Sequence, residues 1–185
     1  MLLSIRRGVV LCLFAMLGAT AGADTPTTKP ADDVLKPATC GKIARVHRLA
    51  DVYLAGQPTA EDLAEAKKLG IKTVLNLRPD AELKGFDERS AVEAAGLAYV
   101  HIPFSGADDL NDEIFDKARE QLKTVERPLL FHCASANRVG ALWLPYRVLD
   151  NGITYDAALA EAKQVGLRAP GMETKAKDYI ERHKK

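Results

Sequence analysis

The middle of the chain alternates short apolar runs with longer stretches in which apolar residues recur every three or four positions. Short runs of β-branched and other apolar residues predict strands, whereas the recurrent pattern predicts amphipathic helices. Strands are predicted over 43–49, 52–55, 71–77, 97–102 and 128–131. Helices are predicted over 60–69, 86–95, 112–125, 138–149, 154–165 and 172–183. This alternation favours an α/β fold with a mostly parallel central sheet flanked by helices.

Capping residues indicate where two of these helices begin, and a proline indicates a kink in a third. Thr59 is a predicted N-cap, and Asp62 at the third helical position completes a capping box with it. Asn111 is a second predicted N-cap. Pro145 removes a backbone donor inside the helix over 138–149, which favours a kink there. The inner face of the first helix is predicted to consist of Leu63, Ala66 and Leu69.

The amino terminus has the pattern of a secretory signal peptide. Arg6 and Arg7 form a positive start, residues 8–18 are apolar, and Ala21-Gly22-Ala23 has the small-x-small form of a cleavage site. The apolar run is too short to span a bilayer comfortably. We therefore predict that residues 1–23 are removed and that the mature protein is periplasmic or secreted, without a membrane anchor. The alternative is an uncleaved amino-terminal anchor.

The remaining chain is predicted to be a linker followed by one domain. Residues 24–39 contain three prolines and few large apolar residues, which is typical of a disordered linker. Residues 40–185 are enough for a single domain with a hydrophobic core.

Charge and histidine placement exclude two classes of function. The formal net charge is +1, and no concentrated basic face is apparent, so a nucleic-acid partner is not expected. The four histidines have no metal-ligand spacing, and we predict neither a metal nor another cofactor. No feature of the sequence specifies an oligomeric state.

The predicted mature chain keeps two cysteines, Cys40 and Cys133. An oxidising compartment leaves two interpretations of Cys40 open. It either protects or resolves Cys133 through a disulfide, or it is an unpaired thiol near the amino terminus. We favour the unpaired thiol, because a disulfide requires closely spaced Cα atoms and the sequence gives no distance.

The candidate chemistry lies in the loop after the last predicted strand. Cys133 follows that strand by two positions, and Arg138 begins the next helix. Amide groups at a helix amino terminus bind anions, and the same positive field favours the thiolate form of a cysteine. The planar guanidinium of Arg138 can bind two oxygens at once. Cys133 is therefore the predicted nucleophile, and an oxyanion substrate is predicted to bind Arg138 and the loop residues Ala134, Ser135, Ala136 and Asn137.

Four stretches, taken in order, resemble a known bacterial family. They are 55–59 (AGQPT), 73–80 (TVLNLRPD), 99–103 (YVHIP) and 132–140 (HCASANRVG). The last stretch resembles the phosphate-binding loop of the protein tyrosine and dual-specificity phosphatases. Residues 52–166 as a whole resemble more closely the small phosphatase-like family that is often labelled beta-lactamase hydrolase-like. The resemblance implies a dual-specificity-phosphatase-like fold and a phosphorylated substrate.

The resemblance also implies a mechanism of phosphate monoester hydrolysis. Cys133 would attack phosphorus to form a phosphocysteine, and Arg138 and the loop amides would bind the equatorial oxygens. An acid on the loop after Pro103 would protonate the leaving oxygen, and this loop offers Asp108 and Asp109. The choice between these two acids stays open.

Other polar residues near these motifs have less specific assignments. His132 is expected to brace the loop through hydrogen bonds, as the resemblance implies, and His101 is expected to be structural. Arg78 and Asp80 are interpreted as a strand-end salt bridge or turn. Two interpretations stay open for the side chains of Ser135 and Asn137: they shape the loop by hydrogen bonding, or they face solvent.

Three departures from the phosphatase pattern keep other functions open. Only four residues separate Cys133 from Arg138, where phosphatases usually have five. Four is also the spacing of many rhodanese-type sulfurtransferases, so the alternative is a sulfurtransferase or persulfide carrier. Ala136 replaces a usual glycine, and Val139 replaces a usual serine or threonine that eases thiolate departure. These two residues favour a third possibility, a catalytically inactive anion-binding module.

Overall fold

The computed structural model describes residues 33–184. The predicted signal peptide, residues 1–23, lies outside the described residues, as does the predicted linker up to residue 32. Within the described range, no helix is both long and apolar enough to cross a bilayer.

The described strands form one mixed sheet whose order is β1-β2-β3-β6-β4-β5. The first three strands pair antiparallel, whereas β3, β6, β4 and β5 are parallel to one another. The mostly parallel α/β sheet predicted from the sequence is therefore confirmed. The strands are β1 (Lys36–Pro37), β2 (Val46–Leu49), β3 (Val52–Ala55), β4 (Thr73–Asn76), β5 (Ala98–His101) and β6 (Leu129–His132).

The helices agree with the predicted pattern to within two residues at each end, and α4 and α6 begin earlier than predicted. Thr59 and Asp62 form the expected capping box, and Asn111 caps α3 by accepting a hydrogen bond from the Ile114 amide. The helix that contains Pro145 continues to Leu149. The helices are α1 (Ala60–Lys68), α2 (Glu88–Ala94), α3 (Asp112–Thr124), α4 (Asn137–Leu149), α5 (Tyr155–Val165) and α6 (Pro170–His183).

One predicted core residue of α1 is wrong. Leu63 and Ala66 are buried, but Leu69 is 45% exposed. The helix ends at Lys68, so Leu69 is its C-cap and no longer follows the helical face. Gly70 then turns the chain with φ +82°, and Ile71 takes the buried position instead.

Each face of the sheet packs a separate hydrophobic core, because successive strand residues point to opposite faces. Leu54, Leu75 and Phe131 belong to the core beneath helices α3 to α6. Tyr53, Val74 and Leu130 belong to the core beneath α1 and α2. The central strands β3, β4 and β6 are buried at every position, as expected for parallel strands covered on both sides.

Ordered structure begins earlier than the predicted linker boundary at residue 39. Lys36 and Pro37 pair with β2, and the amide of Ala38 donates to Val46 O at 3.0 Å. Leu35 is buried. Pro37, one of the prolines that suggested a linker, is tolerated because this strand lies at the sheet edge.

Candidate active site

The parallel strands end at one edge of the sheet, and Cys133 lies at its centre. It follows β6, which lies between β3 and β4. The amide of Cys133 donates to Ala55 O at 3.3 Å, across the end of β3. The residue is 1% exposed. The structure therefore places Cys133 at the carboxyl edge, where ligands bind in parallel α/β sheets.

The loop from Cys133 to Arg138 has unoccupied amide donors. Ala136 adopts φ +63° and ψ +3°, and α4 begins at the next residue. Gly140 N–H donates to Ala136 O at 3.0 Å, and a β-bridge joins Ser135 to Gly56, whereas the amides of Ala134 and of residues 137–139 have no acceptor within the described chain. Consecutive free amides at the start of a helix form a concave anion-binding site. The left-handed alanine costs about 1 kcal/mol relative to glycine.

Arg138 is buried and bound at one end of its guanidinium. Nη1 donates to Glu82 Oε1 at 3.0 Å and to Phe104 O at 2.8 Å, and Nη2 donates to Glu82 Oε2 at 2.6 Å. No partner for Nε is found among the described residues. The Nε–H and the second Nη2 hydrogen are therefore available for an oxyanion, as a second fork beside the one that Glu82 uses.

Glu82 was not identified from the sequence. It lies in a short 3₁₀ turn, Asp80–Glu82, after β4. The hydrogen bond from Arg138 holds the pKa of Glu82 below its usual value; partial burial opposes this, and the charges of Arg138 and Arg78 support it. A carboxylate next to two guanidinium groups stays ionised at neutral pH.

Arg78, at the end of β4, orients this turn through contacts with Glu82 and also binds Gln57. Its Nη2 donates to Glu82 O at 2.5 Å, and its Nε lies 3.3 Å from Glu82 Oε2. Its Nη1 donates to Gln57 Oε1 at 2.7 Å. Arg78 therefore forms a strand-end salt bridge with Glu82, whereas the sequence had suggested Asp80. Asp80 lies 4.0 Å from His101 Nδ1, and His101 Nε2 contacts Arg78 O at 2.6 Å.

His132 joins a buried polar network behind the loop. Its Nε2 lies 2.6 Å from Glu88 Oε1, and both side chains are fully buried. Glu88 Oε2 accepts hydrogen bonds from Gln57 Nε2 and Asn76 Nδ2, each at 3.1 Å. Asn76 also donates to Tyr99 Oη at 2.9 Å. The hydrogen bonds by which His132 was expected to brace the loop are not found for either ring nitrogen within the described chain, and its close contact is with Glu88, which the sequence did not single out.

Ser135 and Asn137 contact the segment between α5 and α6. Asn137 Oδ1 accepts from the amides of Arg168 and Ala169 at 2.8 and 3.2 Å. Ser135 Oγ accepts from Arg168 Nη2 at 2.7 Å. Of the two interpretations left open for these side chains, the structure favours hydrogen bonding that shapes the site.

The predicted acid loop lies next to Arg138, because Phe104, which binds Arg138, immediately precedes it. Asp109 Oδ2 accepts from the Ser105 amide at 2.8 Å and closes the loop on itself. Asp108 is exposed, and no partner for its side chain is found in residues 33–184. The two acids are thus distinguished: Asp109 has a structural contact, and Asp108 has none.

Cys40 is separated from Cys133 by the sheet. Cys40 belongs to the core beneath α1 and α2, whereas Cys133 belongs to the opposite core. Both thiols are free. Burial and the nearby carboxylates of Asp62 and Glu65 raise the pKa of Cys40 to about 11. Cys40 is therefore an unpaired, protonated thiol.

No group of three or more His, Cys, Asp or Glu side chains able to hold a metal is found in the described range.

A family profile for the phosphatase-like domain of beta-lactamase hydrolase-like proteins matches residues 47–148. The chain belongs to this family. It is 33% identical over 104 residues to a beta-lactamase hydrolase-like protein of Agrobacterium fabrum, covering 54% of this chain and 24% of that protein. The chain thus spans about a quarter of the length of that relative.

Solved structures agree with the family on the fold. The crystal structure of P. aeruginosa TpbA in complex with pTyr is similar, with a TM-score of 0.64 and 24% identity, covering 82% of this chain and 91% of that one. Tk-PTP in its active form has a TM-score of 0.56 and 21% identity, covering 71% and 92% respectively. The fold is that of phosphatases of the protein tyrosine and dual-specificity type. Family and fold together support a cysteine phosphatase-type function.

Proposed function

We propose that the protein hydrolyses phosphate monoesters through a phosphocysteine on Cys133. One observation carries the proposal: a buried cysteine begins a loop that has free amides and ends at an arginine with an open fork. The free amides of residues 134–138 and the Nε/Nη2 side of Arg138 would bind the three non-bridging oxygens. Charge that develops on these oxygens in the transition state would meet donors already in place.

In the first step, Cys133 Sγ forms a bond to phosphorus as the ester P–O bond breaks. Asp108 is the proposed acid, because it is the loop carboxyl that makes no structural contact. Its proton goes to the leaving oxygen. In the second step, water attacks the phosphocysteine, the S–P bond breaks, and Asp108 accepts the water proton.

The second step is expected to be slow relative to the first. Val139, at the position after Arg138, is buried and has no hydroxyl to bind the departing thiolate. Ser135 Oγ is already engaged with Arg168. Substrate turnover should therefore show a burst of the first product, followed by slower release of phosphate.

The test is hydrolysis of p-nitrophenyl phosphate by the reduced full chain, with Cys133→Ser and Cys40→Ser as a matched pair. We expect activity in the wild type and in Cys40→Ser and none in Cys133→Ser. Activity that survives Cys133→Ser would overturn the proposal.

We further propose the dual-specificity subtype and action outside the cytoplasm. The similarity to TpbA, which was crystallised in complex with pTyr, supports the first, and the pattern of residues 1–23 supports the second. Phosphotyrosine and phosphothreonine peptides should both be hydrolysed, and hydrolysis of only one of them would contradict the dual-specificity subtype.

Cell fractionation should recover a shortened chain from the periplasm or medium. Recovery of the full-length chain from the cytoplasm would contradict action outside the cytoplasm.

A second candidate, sulfur transfer, is favoured by the four-residue spacing between Cys133 and Arg138. In that reaction Cys133 would take the sulfane sulfur of thiosulfate, with release of sulfite. Mass spectrometry of the chain after incubation with thiosulfate would show a gain of one sulfur atom that Cys133→Ser abolishes. A chain that hydrolyses the phosphate ester and gains no sulfur would remove this candidate.

A further inference from the structure

A guanidinium that the proposed mechanism does not use lies beside the cysteine loop. Arg168 Nη2 donates to Ser135 Oγ at 2.7 Å, and Nη1 makes a longer 3.4 Å bond to Gly166 O. The side chain is exposed, and no carboxylate pairs with it among residues 33–184. By contrast, the guanidinium groups of Arg78 and Arg138 at this edge both have Glu82 as a counter-ion.

The loop itself fixes the position of Arg168. Asn137 Oδ1 accepts from the backbone amides of Arg168 and Ala169 at 2.8 and 3.2 Å. Gly166 approaches so closely that an added Cβ would lie 3.2 Å from Ser135 O and from Ala136 Cβ. The segment that carries Arg168 therefore cannot shift away without breaking contacts to three residues of the anion-binding loop.

The same segment reaches the acid loop. Gly171, in the first turn of α6, is so close to Ala107 that an added Cβ would lie 3.0 Å from the Ala107 side chain. Ala107 directly precedes Asp108. Residues 166–171 thus contact both the cysteine loop and the loop of the proposed acid, and Arg168 lies between these two contacts along the chain.

We propose that Arg168 binds a second oxyanion group of the substrate, so that the preferred substrates are phosphate monoesters bearing another phosphoryl or carboxylate group. This inference deepens the proposed function and depends on it. A single phosphoryl group would be bound fully by the loop amides and the open fork of Arg138. Arg168 uses one short hydrogen bond of its five donors, so its remaining N–H groups can bind a further anion without losing Ser135.

The test uses non-hydrolysable phosphonates and the full chain carrying Cys133→Ser. Methylphosphonate has one anionic group, methylenediphosphonate has a second phosphoryl group, and phosphonoacetate has a carboxylate instead. Calorimetric dissociation constants are measured with Arg168 and with Arg168→Gln. We expect Arg168→Gln to weaken the binding of at least one two-group ligand about tenfold and that of methylphosphonate by less than about twofold.

The matched control is Arg48→Gln. Arg48 is also an exposed arginine bound to an oxygen of its own segment, Ala50 O, but it lies on β2 opposite Tyr53, away from the carboxyl edge. It removes the same charge from the protein, so it should leave all three constants unchanged. Which two-group ligand responds to Arg168→Gln then identifies the second group as phosphoryl or carboxylate.

Equal weakening of all three ligands by Arg168→Gln, or no change in any, would overturn the assignment. Failure of methylphosphonate to bind would remove the anion site, and both proposals with it. Methylphosphonate binding without hydrolysis of any ester would instead contradict the phosphatase proposal alone, because the Arg168 comparison depends only on binding.

Discussion

Glu82 binds Arg138 by two parallel hydrogen bonds, from Nη1 to Oε1 at 3.0 Å and from Nη2 to Oε2 at 2.6 Å. Arg78 holds the other side of Glu82, through its backbone carbonyl and Oε2. The carboxylate thus occupies the end of the Arg138 guanidinium and leaves Nε without a partner in the described chain. Glu82 therefore orients the fork that we propose binds substrate.

Replacing Glu82 by glutamine should lower kcat/KM for p-nitrophenyl phosphate by about tenfold. The glutamine keeps one acceptor oxygen, but its NH₂ group would face an Arg138 N–H, so donor would meet donor and the guanidinium would turn. Glu93→Gln, on an exposed position of α2, is the control and should not change kcat/KM. An increase on Glu82→Gln would mean instead that Glu82 competes with substrate for Arg138.

From the contact between Glu82 and Arg138 we expect the thermal stability of the protein to depend on pH. Hydrogen bonding from Arg138 lowers the pKa of Glu82, burial opposes this, and the charges of Arg138 and Arg78 add to it. A lowered folded-state pKa gives stability that is fully present above the ordinary value of 4.5 and is lost as the pH falls through the folded value. The difference in Tm between wild type and Glu82→Gln should be constant above about pH 5 and shrink below pH 4.5. A difference that grows on acidification would contradict this.

Local sequence signals predicted the helices, the loop and every strand except the edge strand β1. The capping residues Thr59 and Asn111 mark their helices, and the cysteine loop lies between a buried strand and a helix as its pattern indicates. Ala136 takes the positive φ that glycine usually supplies there. These features depend on neighbours within a few positions, which is why they can be read from the sequence.

The partners of the site residues could not be predicted in the same way. Glu82 meets Arg138 across 56 positions of sequence, and Arg168 meets Ser135 across 33. The contact between Glu82 and Arg138 exists because β6 inserts beside β4, an order that strand patterns do not specify. Glu88 was hidden for another reason, since a charged residue in an amphipathic helix is ordinarily expected to face solvent.

Replacement by asparagine should affect activity differently at Asp108 and at Asp109, the two acids of the loop after β5. Asp108→Asn should lower kcat/KM for phenyl phosphate by about 10²-fold, because kcat/KM reports the first step, in which the phenolate leaving oxygen needs a proton. The loss in kcat/KM should be smaller for p-nitrophenyl phosphate, whose leaving group is less basic. Asp109→Asn keeps an oxygen for the Ser105 amide and should change kcat/KM little. The reverse ranking would assign the acid to Asp109.

Close packing between α4 and α5 depends on Gly140. An added Cβ there would lie 2.7 Å from Ala162 O and 2.9 Å from the Leu167 amide nitrogen, and both are backbone atoms that cannot rotate away. Gly140→Ala should lower the free energy of unfolding by about 1–3 kcal/mol, measured by urea denaturation. Gly106→Ala is the control, because nothing lies within 4 Å of its added Cβ. A neutral Gly140→Ala would mean that α5 moves freely against α4.

The buried contact between His132 and Glu88 should be among the most costly to alter. Glu88 Oε2 accepts from Gln57 and Asn76, Glu88 Oε1 lies 2.6 Å from His132 Nε2, and the side chains of Glu88, Asn76 and His132 are buried. Glutamine has one acceptor oxygen and adds two donors, so at least one buried donor of the network would lose its partner. Unpartnered buried polar groups cost about 1–3 kcal/mol each, so Glu88→Gln should lower the free energy of unfolding by about 2–4 kcal/mol.

The matched control is again Glu93→Gln on the exposed side of α2, which should stay within about 0.5 kcal/mol of wild type. A Glu88→Gln chain as stable as this control would show that the network does not hold the cysteine loop in place. Weaker methylphosphonate binding by Glu88→Gln in the Cys133→Ser background would show that it does, because the network reaches the loop through His132, which directly precedes Cys133, and through Gln57, whose backbone amide donates to Ala134 O at 3.4 Å.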